Sequence, residues 1–104
     1  MTKILITGGA GLMQMYYVYL LASQNRSEKY IGSTNNLQTC LIKHNRGLIT
    51  STKRYRPWEL IYYESYSTED LARHREKQLK YHGNAKRELY KRLGLVKKSK
   101  TPTT

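Results

Sequence analysis

From Tyr16 onward the apolar and polar positions fall into short blocks with different periods. Tyr16-Tyr17-Val18-Tyr19-Leu20-Leu21 and Lys29-Tyr30-Ile31-Gly32 are rich in aromatic and β-branched side chains, with polar Ser23 to Ser27 between them. Two such runs around a polar connection predict an antiparallel hairpin. Strand side chains alternate, so Tyr17, Tyr19 and Leu21 should share one face and Tyr16, Val18 and Leu20 the other. Tyr30 and Gly32 also share a face, and a strand glycine lets a backbone or a ligand come close.

Leu37, Cys40, Leu41 and His44 then recur at the spacing of one helical face, with Asn35 or Asn36 as cap and Gly47 as stop. A polar, basic connection over residues 48–56 leads to Pro57 and a third strand, Trp58 to Tyr66. In it Trp58, Leu60 and Tyr62 alternate with Glu59, Ile61 and Tyr63, and apolar groups on both faces predict the middle strand of a small sheet. Ser67 or Thr68 should cap a second helix, with Glu69 and Asp70 in its first turn. Leu71, Arg75 and Leu79 lie along one face of it, with Ala72, Glu76 and Lys80 beside them. His82-Gly83-Asn84 is a break, after which Ala85, Leu89 and Leu93 predict a third helix closed by Gly94. The expected fold is α/β (α+β): a small, mainly antiparallel three-stranded sheet flanked by helices.

Composition narrows the function. A chain of 104 residues makes one domain with a modest core. It has no Phe and ten Tyr, so tyrosine must supply much of the aromatic packing. Nineteen Lys and Arg against seven Asp and Glu give +12, which points to a polyanionic partner. No apolar run approaches the roughly 18 residues of a membrane span, and no stretch suits the surface of a bilayer, so nucleic acid is favoured over membrane. The single cysteine, Cys40, excludes an internal disulfide and fits a reducing cytoplasm.

The segment Lys3 to Gly11 (KILITGGAG) looks like the opening strand and glycine turn of a dinucleotide-binding protein. Gln14 stands where the last glycine of that motif belongs, no helix opens there, and no βαβ unit follows, so cofactor binding is set aside. Residues 1–14 are expected to be an extension, residues 15–95 the domain, and residues 96–104 a basic, disordered tail.

The pair YVY (residues 17–19) and YIG (residues 30–32) resembles the two half-motifs of the GIY-YIG endonuclease family, in its small stand-alone form. The resemblance continues in order through LQTCLIKHNRG (37–47), STK (51–53), RPWEL (56–60), IYYE (61–64) and ARHREKQLK (72–80). It implies hydrolysis of DNA, branched or damaged, with one divalent ion, Mg²⁺ or Mn²⁺, by a monomer or weak dimer. Residue by residue, it makes Tyr19 and Tyr30 the catalytic phenols, with Tyr30 the base, and Glu76 the metal ligand. His44 would assist the nucleophile, and Gly32 would serve close packing.

A free phenol has a pKa of about 10, so a tyrosine base needs positive charge nearby. Tyr17 and Val18 replace the glycine and isoleucine of the family's first triplet. A larger departure is Cys40, which stands where the family has its phosphate-binding arginine; a thiol offers neither fixed charge nor a bidentate fork. Arg46, Arg73 and Arg75 are the neighbouring cations expected to reach in, though none stands at the motif position, and Asn84 is the one counterpart for a further family asparagine. Lys53, Arg54 and Arg56 are the expected phosphate contacts. Two readings follow: a metal-dependent nuclease weakened at position 40, or a catalytically inactive nucleic-acid-binding module on the same fold.

Overall fold

A computed structural model of the chain describes residues 14–95. The glycine-rich segment Lys3 to Gly11 and the basic tail lie outside the described residues. The elements are β1 (Tyr16–Ser23), β2 (Lys29–Thr34), α1 (Leu37–Asn45), a 3-10 turn (Lys53–Tyr55), β3 (Trp58–Tyr66), α2 (Glu69–Tyr81) and α3 (Gly83–Arg92). The three strands form one antiparallel sheet in the order β2-β1-β3. No helix among the described residues is long and apolar enough to cross a membrane.

The middle of the sheet is β1, not β3. Val18, Tyr19, Leu20 and Leu21 are each 4% exposed or less, because β1 is covered on both faces. Facing α2 and α3, Val18 and Leu20 join Ile31, Ala72, Leu79 and Leu89 in an aliphatic core. On the other side Tyr19 and Leu21 join Trp58, with Leu37, Cys40 and Leu41 of α1 packed on them. The alternation read from the sequence therefore separates two different cores. As an edge strand, β3 carries side chains on both faces for another reason: tyrosine can bury its ring and keep its hydroxyl at a polar or wet rim.

The expected alternation in β3 is also corrected. The register against β1 slips between Leu20 and Leu21: Leu20 opposes Tyr62 and Leu21 opposes Leu60, which leaves Ile61 as an extra residue. A bulge of this kind shifts the side-chain phase by one. Trp58 and Leu60 consequently pack towards α1, whereas Ile61 and Tyr62 both pack towards α2 and α3.

The helices begin where their caps predict. Asn36 Oδ1 accepts from Thr39 N–H at 3.0 Å, and Thr68 Oγ1 accepts from Leu71 N–H at 3.2 Å. Gly47, just beyond α1, has φ +77°, a conformation glycine takes without a Cβ clash. The end of α1 is stitched to β3, since Asn45 accepts from Trp58 N–H at 2.6 Å and donates to Trp58 O at 3.0 Å. Of the face expected on α2, Ala72 and Leu79 are buried while Leu71 points outward, half exposed. The break before α3 shrinks to His82, and Gly83 already belongs to the helix.

Candidate active site

The register of the hairpin puts Tyr19 directly opposite Gly32. Alternation turns the Tyr19 ring onto the α1 side, and it lies across the glycine. A Cβ at position 32 would stand 2.6 Å from the Tyr19 hydroxyl oxygen and 3.0 Å from a ring carbon of Tyr30. Glycine is required there so that the two phenols can converge over β2. Their ring centroids are 6.2 Å apart.

His44 reaches the same place from α1. It is fully buried, with Nε2 2.9 Å from the Tyr19 hydroxyl and Nδ1 2.8 Å from Thr52 Oγ1. Thr52 Oγ1 donates to Ile49 O at 3.4 Å, which makes it an acceptor for Nδ1–H and leaves Nε2 to accept the Tyr19 proton. Burial lowers the pKa of His44, in keeping with this neutral form. Burial above all, then the neighbouring Cys40, Tyr30 and Glu76, push Tyr19 well above its ordinary value. Tyr19 therefore stays protonated, with its hydroxyl bonded to His44. Tyr30 packs against His44, with ring centroids 4.9 Å apart, and its hydroxyl has no hydrogen-bond partner among the described residues.

Glu76 comes from the opposite side, carried by α2 past the exposed edge of β2. Its Oε1 accepts from Ser33 Oγ at 2.7 Å and its Oε2 meets Lys80 Nζ at 2.9 Å. Burial alone would raise this carboxyl, but Ser33 and Lys80 outweigh it and hold Glu76 below the usual carboxylate range. Among the described residues no group of three or more His, Cys, Asp or Glu is arranged to enclose a metal ion. One carboxylate at an open edge nevertheless fits Mg²⁺, which is held by one or two carboxylates, with water and phosphate oxygens filling the rest. The cavity beside Glu76, about 220 Å³, leaves room for such a hydrated ion.

Cys40 packs against the α1-side core that contains Tyr19, one turn before His44 and on the same helix face. A side chain at position 40 therefore points at the phenols. Other candidates lie elsewhere. Arg75 is spent on Glu64 at the β3 edge, with Nε–Oε1 at 2.9 Å. Arg73 lines the cavity beside Glu76 but is paired with Glu69, and Asn84 accepts from Arg87 on α3. Arg46 is exposed at the end of α1.

Lys53 and Arg54 are exposed on the 3-10 turn. Arg56 bends back, donating from Nε to Lys53 O at 2.7 Å with its guanidinium over Gly47. Arg54 shares the Tyr55 ring with Arg26, each 5.8 Å from the ring centroid. Sequence reasoning did not assign roles to Ser33, Thr52 or Arg26. Ser33 directly follows the YIG triplet and Thr52 lies in the STK run (51–53), which are the local signals available; Arg26 carries none, because its partner is set by a tertiary contact.

A family model for the GIY-YIG catalytic domain matches residues 15–95. The chain belongs to the GIY-YIG family, whose domain is nuclease-like and acts on DNA. It is similar to a UPF0213 protein of Staphylococcus epidermidis, 36% identical over 69 residues, covering 65% of this chain and 83% of the relative. A UPF0213 protein of Bacillus pumilus is 37% identical over 76 residues, 72% of this chain and 76% of the relative.

Proposed function

We propose that the protein cleaves DNA by metal-dependent phosphodiester hydrolysis at the β2 edge, slowly because position 40 is cysteine. The observation that supports this best is convergence. Two phenols from the hairpin and an imidazole from α1 meet over Gly32, and α2 carries a carboxylate to Ser33, the next residue of the strand.

A divalent ion, Mg²⁺ or Mn²⁺, bound at Glu76 would polarise the scissile phosphate. The chain's own groups do the rest. Tyr19 gives its proton to His44 Nε2 in a hydrogen bond and so turns its oxygen lone pairs outward, ready to orient a water. His44 is kept in that tautomer by Thr52. Tyr30, with its hydroxyl uncommitted, would first lose its own proton to solvent and then, as phenolate, take the proton from the attacking water. Phosphate binding falls to the basic surface, since the thiol at position 40 holds no charge. DNA is the substrate, in branched or damaged form; residues 15–95 are the catalytic unit, acting as a monomer or weak dimer in the cytoplasm. The second reading, a binding module without activity, is favoured by Cys40 alone.

Plasmid nicking decides between them. Losing one preorganised charge-stabilising donor costs roughly 100- to 1,000-fold in rate. Cys40→Arg should therefore raise Mn²⁺-dependent nicking by something approaching that factor, and adding Glu76→Ala should remove the gain. Thermal melts run alongside report whether the buried arginine is tolerated. A folded Cys40→Arg protein without metal-dependent nicking overturns the nuclease reading and leaves the binding module.

A further inference from the structure

Glu76 has two partners of different kinds. The Ser33 hydroxyl is neutral and stays useful to a carboxylate whatever else binds it. Lys80 is a competing cation. Its Nζ lies 2.9 Å from Glu76 Oε2, and the side chains are only 32% and 21% exposed, so this pair is more sheltered than an ordinary surface i,i+4 contact. The same ammonium lies 5.7 Å from the centroid of the Tyr30 ring. It therefore stands between the proposed metal ligand and the proposed base.

The groove beside this pair is basic. Lys80, Lys77 and Arg73 line the cavity next to Glu76, and a second cavity of about 220 Å³ continues from it, sharing Ser33 and Arg73. The two run along α2 beside the free edge of β2. A polyanion lying in this groove would meet Lys80, Lys77 and Arg73, the last already paired with Glu69, with Lys80 nearest the phenols.

We propose that Lys80 is the resident cation of the site, holding Glu76 when no divalent ion is bound and serving, once released, as the phosphate-binding cation that position 40 lacks. The proposal rests on the reading of Glu76 as the metal ligand. The ammonium 2.9 Å from Oε2 competes with a divalent ion for the charge of the same carboxylate, so Glu76 takes the ion more readily once Lys80 has moved away. Lysine suits this exchange, being a point charge on a flexible four-carbon stem. The Tyr30 face gives the released ammonium a cation–π surface on which to rest.

Two measurements test the exchange, and neither needs turnover. First, Mn²⁺ binding to the DNA-free full-length protein is titrated by calorimetry. Lys80→Met and Lys80→Gln remove the competitor and should tighten Mn²⁺ by about three- to tenfold, the scale of a partly sheltered ion pair. Glu76→Gln serves as the control. If it leaves Mn²⁺ binding intact, the metal-ligand reading itself is overturned. If it weakens binding while neither Lys80 variant strengthens it, only the lysine proposal falls.

The second measurement is the salt dependence of binding to a DNA duplex carrying a single-stranded branch. In Mg²⁺, Lys80→Met should reduce the slope of log affinity against log salt by about one, for one lost phosphate contact. In EDTA, where Lys80 is held by Glu76, the slope should not change. Lys80→Arg should keep the wild-type slope in Mg²⁺. Equal slopes for wild type and Lys80→Met in Mg²⁺ would overturn the phosphate role.

Discussion

Arg75 and Glu76 are adjacent on α2, yet they serve opposite edges of the sheet. Arg75 turns to the β3 edge and grips Glu64; Glu76 turns to the β2 edge and meets Ser33. The two glutamates at the ends of this arrangement differ in saturation. Glu64, 15% exposed at its side chain, takes both Arg75 nitrogens and the hydroxyls of Tyr62 and Tyr66. That fills the roughly four lone-pair positions of a carboxylate. Burial works against the charge of Glu64, but the bonds from Arg75, Tyr62 and Tyr66 outweigh it and hold the group below its ordinary range. In return Tyr66 is pushed up to about 12, by burial first and then by Glu64. Glu76 has one bond on each oxygen and faces a cavity. Both carboxylates are ionised and half-sheltered, so neither charge nor burial separates them. Unused acceptor capacity does, and only Glu76 can still take a ligand.

Exchanging each carboxylate for an amide tests this comparison most strongly. Glu76→Gln should lower metal-dependent nicking at least about 100-fold, as expected for a lost charge-stabilising group, and move the melting temperature little. Glu64→Gln should leave nicking intact well below the melt. It should cost about 1–2 kcal/mol, because Arg75 loses its charged partner in a partly sheltered site, or roughly 5–10 °C for a domain of this size. Equal thermal losses in the two variants would erase the distinction.

Gly32→Ala comes next. The new methyl must displace the Tyr19 phenol or the Tyr30 ring, at a cost of about 1–3 kcal/mol. Activity should fall further than stability, because the phenols are moved apart. A variant as active as wild type would mean that the rings give way freely.

The acid limb of a pH–stability profile separates the two sides of the sheet. His44 has a lowered pKa in the fold, so its unfolded form binds the extra proton, and stability should begin to fall as pH drops below about 6.5. Glu64 and Glu76 are also lowered, so their contribution is complete above about 4.5 and is lost only below that. His44→Gln should remove the upper part of the decline, and Glu64→Gln should reduce the lower part. Melts from pH 4 to pH 8 would show a single unchanged decline if neither assignment holds.

The smallest effect is expected at the basic turn. Replacing Lys53, Arg54 and Arg56 together by alanine should flatten the salt slope of DNA binding by about two, since Arg56 is folded back on Lys53 O. An unchanged slope would leave the groove along α2 as the principal phosphate track.

Spacing along the chain was enough to define the strands and the α-helices, to narrow two helix caps to a pair of residues each, and to divide β1 into two faces. It also placed Cys40 and His44 on one face of α1 and set Gly32 two residues from Tyr30. These are consequences of local geometry, periods of two and 3.6 residues that hold whatever the element packs against. Tyrosine made β3 ambiguous, because its ring reads as core and its hydroxyl as surface; the pattern pointed to a middle strand where the fold has an edge. The bulge at Ile61 left no mark in the sequence, since a one-residue slip is a property of the pairing with β1. Arg75 and Glu76 could not be told apart by position, and Lys80 read only as a helical neighbour. Their roles follow from how α2 crosses the sheet, which brings Ser33 to Glu76 across 43 residues and Glu64 to Arg75 across 11. The chain's local chemistry chose the side chains; the tertiary packing, through non-local contacts that no spacing encodes, decided which of them still have something to bind.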